Sequence, residues 1–498
     1  MSRVSLGLCF AAWLSLGCAS SAPSPNAPVA SPKPVVTRAV VQDPDAFRRS
    51  APQPGEHPAV QFPTPTVKVL KNGVTLYVVP KQSPVTTLSV VVRHGASSVP
   101  LGKSGLAALT ARMLTEGTEQ HSSLSLALAS ESLGSSLEAD AGRDESYVSL
   151  STLTADVPRG LGLLAEVVFS PAFRPAEFAR VKDEWLDGLR AERQEPARLA
   201  SLVALRTLLG PRFGAPVSGS IPDVEKLKVR DLVAFHQKTY VPANLAVVAV
   251  GDVSLPGLEP DLERLFGRAT GPSLPAENVA PEPAQASPLR VLIVDRKESV
   301  QSAIFAVQPF PKRSEPGFEA RAILGTLLGG LFTSRLNLNL REKHAFTYGV
   351  HGQALATRHW GAFFVATDVK TESTAESLFE LLSELDRARA PERGAPILEQ
   401  EASRARTDLI HNLGARLEHT SSIADSMRTL YAQQLPADYF SRYPQLVNEV
   451  PTSEVSEQAR RLDPQHLLVV IVGDRAQIEP SLKQHGFALE SVDPKLLE

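Results

Sequence analysis

Side chains able to hold a metal, move a proton or attack a carbonyl are few and poorly grouped in this chain of 498 residues. Its eleven histidines include no two spaced four apart, the spacing that sets two imidazoles on one face of a helix. His94 and His236 stand alone and read as satisfied polar groups. Cysteine occurs only at Cys9 and Cys18, and no Ser-His-Asp or cysteine arrangement marks a nucleophile. The stretch with the most order is Gly105–Thr118, GLAALTARMLTEGT. Leu106, Leu109, Met113 and Leu114 recur at three- and four-residue steps and share a face of a helix. Gly117 suits a left-handed cap at its end. The positions between the leucines hold Ala108, Ala111 and Arg112.

This stretch resembles the helix of the pitrilysin/insulinase family that carries H-x-x-E-H inside G-L-A-H-x-L-E-H-M-L-x-x-G-T. In that family the two histidines hold zinc and the glutamate activates the metal-bound water. The corresponding places here are Ala108, Ala111 and Arg112. A methyl group has no lone pair, and a guanidinium is a permanent cation that repels a metal ion. The family's third ligand is a glutamate on a later helix. Counting back from Glu195-Pro196 places it at Gly188, with Asp187 the one acidic neighbour. The resemblance therefore implies a peptidase frame without its zinc site, so no cofactor is expected on this chain. A guanidinium taken into the site requires a carboxylate. Arg112 is expected to pair with Glu116, Glu184 or Asp187, an ion pair tying the two helices in place of the metal.

The second half keeps a family feature. Gly329–Leu336, GGLFTSRL, leads into Leu340–Val350, LREKHAFTYGV, which is similar to the family's S-R-L…L-R-E-x-x-x-x-x-Y-x-V stretch. The resemblance implies that Arg341 and Tyr348 reach an active site. There a guanidinium offers donors to a substrate carbonyl and a phenol donates to the oxyanion formed during peptide hydrolysis.

These residues need elements to position them, and an internal repeat supplies the plan. Pro242–Asp252, PANLAVVAVGD, recurs as Pro464–Asp474, PQHLLVVIVGD. Each copy is an apolar strand that follows a helix (Val229–Thr239 and Ser453–Leu462) and ends at Gly-Asp, so one module is used twice. In the first module, strands at Thr66–Leu70 and Thr75–Val79 flank an Asn72-Gly73 hairpin turn. A strand at Val85–Arg93 follows, then the helix around Leu109 and one at Ser122–Leu133. Strands at 136–141 and 146–152 precede helices at Pro158–Phe169 and Pro175–Glu192, with Ser170-Pro171 between the helices. The expected fold is α+β: two homologous halves, 66–268 and 289–490, joined by a Pro/Ala/Glu-rich linker at 269–288. By resemblance the halves form a clamshell around a chamber.

Composition excludes other classes. With 43% hydrophobic and 21% charged residues and a net charge of −3, nothing in the composition, and no run of basic residues, suggests nucleic-acid binding. Residues 1–18 read as a signal segment: Arg3, the apolar run Val4–Leu16, then Leu14-Ser15-Leu16-Gly17-Cys18, which resembles a bacterial lipoprotein processing site. Cys18 is the expected lipid attachment, and Pro-, Ala- and Ser-rich residues 19–65 an extended tether. The expected location is the cell envelope, on the periplasmic face of the outer membrane, with secretion the alternative. The expected role is a metal-free subunit that binds peptide or unfolded polypeptide and supplies Arg341 and Tyr348 to a zinc-bearing homologous partner. The alternative is a stand-alone peptide-binding or scaffold lipoprotein.

Overall fold

The computed structural model describes residues 59–271, 288–390 and 395–492, with Arg48 and Glu392. The expected signal segment, the tether before residue 59 and linker residues 272–287 lie outside the described residues. In the first half, β1 (Thr66–Val69) turns through Asn72-Gly73 into β2 (Thr75–Pro80). Then come β3 (Val85–Val92), α1 (Leu106–Leu114), α2 (Ser123–Glu131), β4 (Glu138–Ala141) and β5 (Ser146–Leu153). Helices α3 (Val157–Phe169), α4 (Pro175–Glu192), α5 (Pro196–Phe213), α6 (Ile221–Lys226) and α7 (Val229–Thr239) lead to β6 (Leu245–Gly251) and α8 (Leu255–Leu265).

The second half opens with β7 (Arg290–Asp295), β8 (Gln301–Phe310) and α9 (Phe318–Gly325), then β9 (Thr347–Ala356) and β10 (Gly361–Lys370). Five helices follow: α10 (Thr374–Arg389), α11 (Glu399–Ala415), α12 (Thr420–Ala432), α13 (Tyr439–Glu449) and α14 (Thr452–Ala459). The half closes with β11 (Leu468–Gly473), α15 (Arg475–Gln484) and β12 (Leu489–Ser491).

The repeated segments, β6 and β11, take the same place in two six-stranded sheets. The first runs β1-β2-β6-β3-β5-β4 and the second β12-β7-β11-β8-β10-β9. Each repeat strand lies parallel to one neighbour and antiparallel to the other in both sheets. Only the outermost strand is recruited differently: β1 enters by the hairpin, whereas β12 arrives from the chain's end and pairs parallel. The shared Gly-Asp ending has a steric cause. A Cβ at Gly251 would meet Thr86 Oγ1 at 2.2 Å, and one at Gly473 would meet Ser302 Oγ at 2.6 Å. The neighbouring strand approaches too closely for any side chain.

Both sheets are apolar on both faces, and the halves solve this reciprocally. Each keeps its own helices on one face and receives a helix from the other half on the second. From the first half, α5 lays Ala200, Val203 and Ala204 against Leu292, Phe305 and Val470 of the second sheet. From the second half, α12 lays Ile423, Met427 and Leu430 against Tyr77, Val91 and Val248 of the first. Polar groups close the same seam. The buried Asp144 carboxylate, in the β4–β5 turn, accepts from the Arg358 backbone N–H and from Gln433 Nε2, both at 2.9 Å. Beside α12 the seam leaves a cavity of about 700 Å³, lined by hydroxyls such as Thr87, Ser149 and Ser421. From Ala59 onward the described residues form one compact unit, α+β with two homologous halves.

The end of the expected tether departs from expectation. Phe62 is buried against Phe440, ring centroids 5.4 Å apart, and Thr64 Oγ1 donates to Ser441 Oγ at 2.9 Å. One aromatic ring is the reason, since burying it contributes about 1.5–3 kcal/mol in a stretch with no periodicity to announce it. No described helix is long and apolar enough to cross a membrane. Because α12 belongs to one half in sequence and to the other in packing, Leu430→Ala is expected to cost about 2–5 kcal/mol. Calorimetry should still show one transition from Ala59 onward; two separated transitions would show that the halves unfold independently.

Candidate functional site

Gly105 starts α1 at φ +87°, where a Cβ would stand 2.7 Å from Ser218 O, so this entry into the helix requires glycine. The stripe of Leu106, Leu109, Met113 and Leu114 is buried as expected. Ala108 and Ala111 are buried too. Ala108 lines a cavity of about 470 Å³ with Trp185 and Leu189 of α4 and with Asp140 and Arg143. Ala108 offers that space no donor.

Arg112 is 39% exposed, and its Nη1 lies 2.6 Å from Glu116 Oε1. The Glu116 carboxylate, 5% exposed, is the hub. Its second oxygen pairs with the Arg180 guanidinium on α4 and accepts from Ser123 Oγ of α2 at 3.1 Å. Arg180 in turn holds Glu184 at 2.9 Å and Glu177 at 3.1 Å. Those two carboxylates, Glu184 first, hold the Arg180 guanidinium above its usual range. An ion-pair tie between α1 and α4 is therefore present, but it runs Arg112–Glu116–Arg180.

Asp187 takes no part in this tie. It is 76% exposed and pairs with Arg190 at 2.6 Å. Gly188, one turn past Glu184, faces open space and offers no ligand. The donor set does not fit zinc: two methyl groups, a guanidinium and a glycine. Among the described residues, no cluster of three or more His, Cys, Asp or Glu is placed to hold a metal ion.

In the second half, Arg341 lies in a π-helical turn, Asn337–Lys343. Its guanidinium stacks over the Phe332 ring, 3.0 Å from the centroid, and its Nε donates to Glu342 Oε1 at 2.9 Å. Tyr348 stands 93% exposed. The cause is a β-bulge: Val350 pairs with Thr367 and Thr347 with Val369, so Tyr348 and Gly349 oppose Asp368 alone. Bulges re-aim side chains. Hydroxyls brace this one, with Thr367 Oγ1 donating to Gly349 O at 2.9 Å and the Gly349 N–H donating to Thr347 Oγ1 at 3.1 Å.

Sequence reasoning missed the residue joining the turn to the strand. Buried Asn337 donates to Val350 O at 2.8 Å and accepts from the Val350 N–H at 2.9 Å. Its signal was an amide between Leu336 and Leu338. Between the pair, Ala345 takes a left-handed φ of +56°, a strain of about 1–3 kcal/mol of the kind found at functional sites. Among the described residues, no hydrogen bond or ion pair joins Arg341 or Tyr348 to α1 or α4.

Comparison with known proteins fits this division. Residues 75–209 match the family described as "Insulinase (Peptidase family M16)", and residues 226–406 match "Peptidase M16 inactive domain". The chain belongs to the M16 insulinase family. The second match includes Arg341 and Tyr348. Among relatives of this M16 chain, an uncharacterized zinc protease of Mycobacterium tuberculosis is 26% identical over 274 residues, 54% of this chain and 62% of that protein. The chain thus spans about six-tenths of that relative's length. The non-peptidase homolog YmxG of Helicobacter pylori is 23% identical over 372 residues, 71% of this chain and 85% of that one. In fold, the chain is similar to a peptidase M16 inactive domain from Pseudomonas fluorescens, with a TM-score of 0.75 and 23% identity. That likeness covers 86% of this chain and 100% of the other. A protease from Helicobacter pylori gives a TM-score of 0.77 at 18% identity, covering 83% and 100%.

The hub carboxylate is a test of the tie. Glu116→Gln leaves Arg112 and Arg180 facing a neutral amide. The expected cost is about 1–3 kcal/mol, below the ~3–5 of a fully buried pair because both arginines are partly solvated. An unchanged urea midpoint would show that the network contributes nothing to stability.

Proposed function

We propose that this chain is the metal-free member of a two-chain M16 peptidase, binding polypeptide and presenting Arg341 and Tyr348 to the zinc site of a homologous partner chain. On this reading Cys18 carries a lipid that holds the complex in the cell envelope. The observation that carries the proposal is Tyr348: a phenol turned almost wholly to solvent by a bulge, with bonded hydroxyls holding it there. A large ring left in water gains nothing from burial, whereas one aimed at a second surface completes it. The α1 positions support the same reading, since the helix and its packing match the family's while no zinc donor stands at Ala108, Ala111 or Arg112.

Two contributions follow for peptide hydrolysis. The Tyr348 hydroxyl donates to the carbonyl oxygen as negative charge develops there, and the Arg341 guanidinium holds the bound chain's carbonyl. Phe332 beneath the guanidinium and Glu342 beside it hold the Arg341 side chain, 13% exposed, in place. The test is reconstitution with a homologue bearing an intact H-x-x-E-H. Alone, the chain is expected to bind no stoichiometric zinc and to cleave no peptide. In the complex, Tyr348→Phe should lower kcat by about 10²–10³ with KM little changed, since one transition-state donor is lost. Arg341→Ala should also raise KM. Wild-type kinetics from an assembled Tyr348→Phe complex would rule out the oxyanion role and favour a stand-alone polypeptide-binding protein.

A further inference from the structure

A second small cavity lies away from both sets of site residues, between α7 and the turn that precedes α1. It holds about 210 Å³. Its floor is carbon: buried Leu106 at the start of α1 and buried Phe235 of α7, with Pro100 and Ala234 along the walls.

The polar groups within it are committed to one another. His94 Nδ1 and Ser98 Oγ lie 2.9 Å apart, and Thr239 Oγ1 donates to Phe235 O at 2.7 Å. Asp231 accepts from Lys103 Nζ at 2.8 Å and from the Lys228 N–H at 2.9 Å, so Lys103 and Asp231 cancel. That leaves Lys238, exposed at the mouth and in no ion pair among the described residues. An apolar hollow with one net cation at its opening suits a single ligand chemistry. We propose that this cavity binds a small monocarboxylic acid with an aliphatic body, its tail on Leu106 and Phe235 and its carboxylate at Lys238.

The size limits the ligand. At about 30 Å³ per water-sized group, 210 Å³ accommodates roughly seven such groups, a tail of about six to eight carbons. The proposal is independent of the zinc-site reading, because it concerns the other end of α1 and none of Arg112, Arg341 or Tyr348.

The experiment is calorimetric titration of the full chain with straight-chain carboxylates from butyrate to decanoate. Each added methylene should tighten binding about four-fold until the cavity is full, near octanoate, after which affinity should stop rising. Hexanol, with the same tail and no charge, should bind several-fold more weakly than hexanoate. Two surface variants guard against misfolding as an explanation, since both positions are exposed. Lys238→Glu should weaken octanoate by about five-fold or more, and Ala234→Trp should abolish binding by filling the mouth. Hydrogen exchange should slow over residues 98–106 and 231–239 when octanoate is bound. The idea is overturned if millimolar octanoate gives no saturable heat. It is equally overturned if affinity keeps climbing to decanoate regardless of both variants.

Discussion

Neither sheet of this protein can stand in water alone, and that constraint organises everything else. β6 and β11 are buried along their whole lengths, so helices are needed on both faces of each sheet. Each half keeps its own helices on one face. The exchange of α5 and α12 supplies the other, burying Met427 and Leu430 in one direction and Val203 and Ala204 in the other. Folding of either half is thereby tied to the other, and Asp144, held by backbone and side-chain donors across the seam, fixes the register of the two. Burial at this seam pushes the Tyr431 hydroxyl up to about 12.

Within that frame α1 is a helix whose packing and chemistry have separated. The inner stripe, Leu106, Leu109, Met113 and Leu114, fills the core of the first half, and replacing any of these would open a cavity. The positions between them, Ala108, Ala111 and Arg112, carry no metal donor. A zinc site does two jobs, chemistry and cross-linking of the helices that supply its ligands. Here the cross-linking is done by Glu116, in the turn after α1, whose two oxygens reach Arg112 of α1 and Arg180 of α4. A carboxylate between two guanidiniums ties helices together as the metal would, yet neither polarises a carbonyl nor generates hydroxide.

Much of the fold was legible because punctuation and period agreed. α4 and α7 begin and end where the sequence places them, α4 opening with proline at its first turn and α7 closing before Val241-Pro242. The doubled Gly-Asp ending was legible as a repeat, and its cause, the approach of Thr86 and Ser302, emerges only when strands are paired. Other features depended on facts that no local pattern encodes. Arg112 was expected to pair with Glu116, Glu184 or Asp187; it pairs with Glu116, and the link on to α4 runs through Arg180, one turn before Glu184, because the crossing of two helices decides which residues meet. Phe62 was hidden among prolines, and its partner Phe440 lies in the other half of the chain.

The arrangement around Tyr348 depends on more than residue identity. Sequence alone places a tyrosine on a strand, where alternation would set it beside Val350, on the buried face. The bulge breaks that alternation at the one point where it would have hidden the phenol. The energy to hold an irregular strand comes from neighbours: Thr347 and Thr367 satisfy the displaced backbone groups, and Asn337 ties the strand to the turn that carries Arg341. Neither threonine nor Asn337 would touch a substrate, yet without them the strand would relax into regular pairing and turn the ring inward. This bracing, together with the left-handed Ala345 between the two residues, is the structural support for the proposed role of Tyr348.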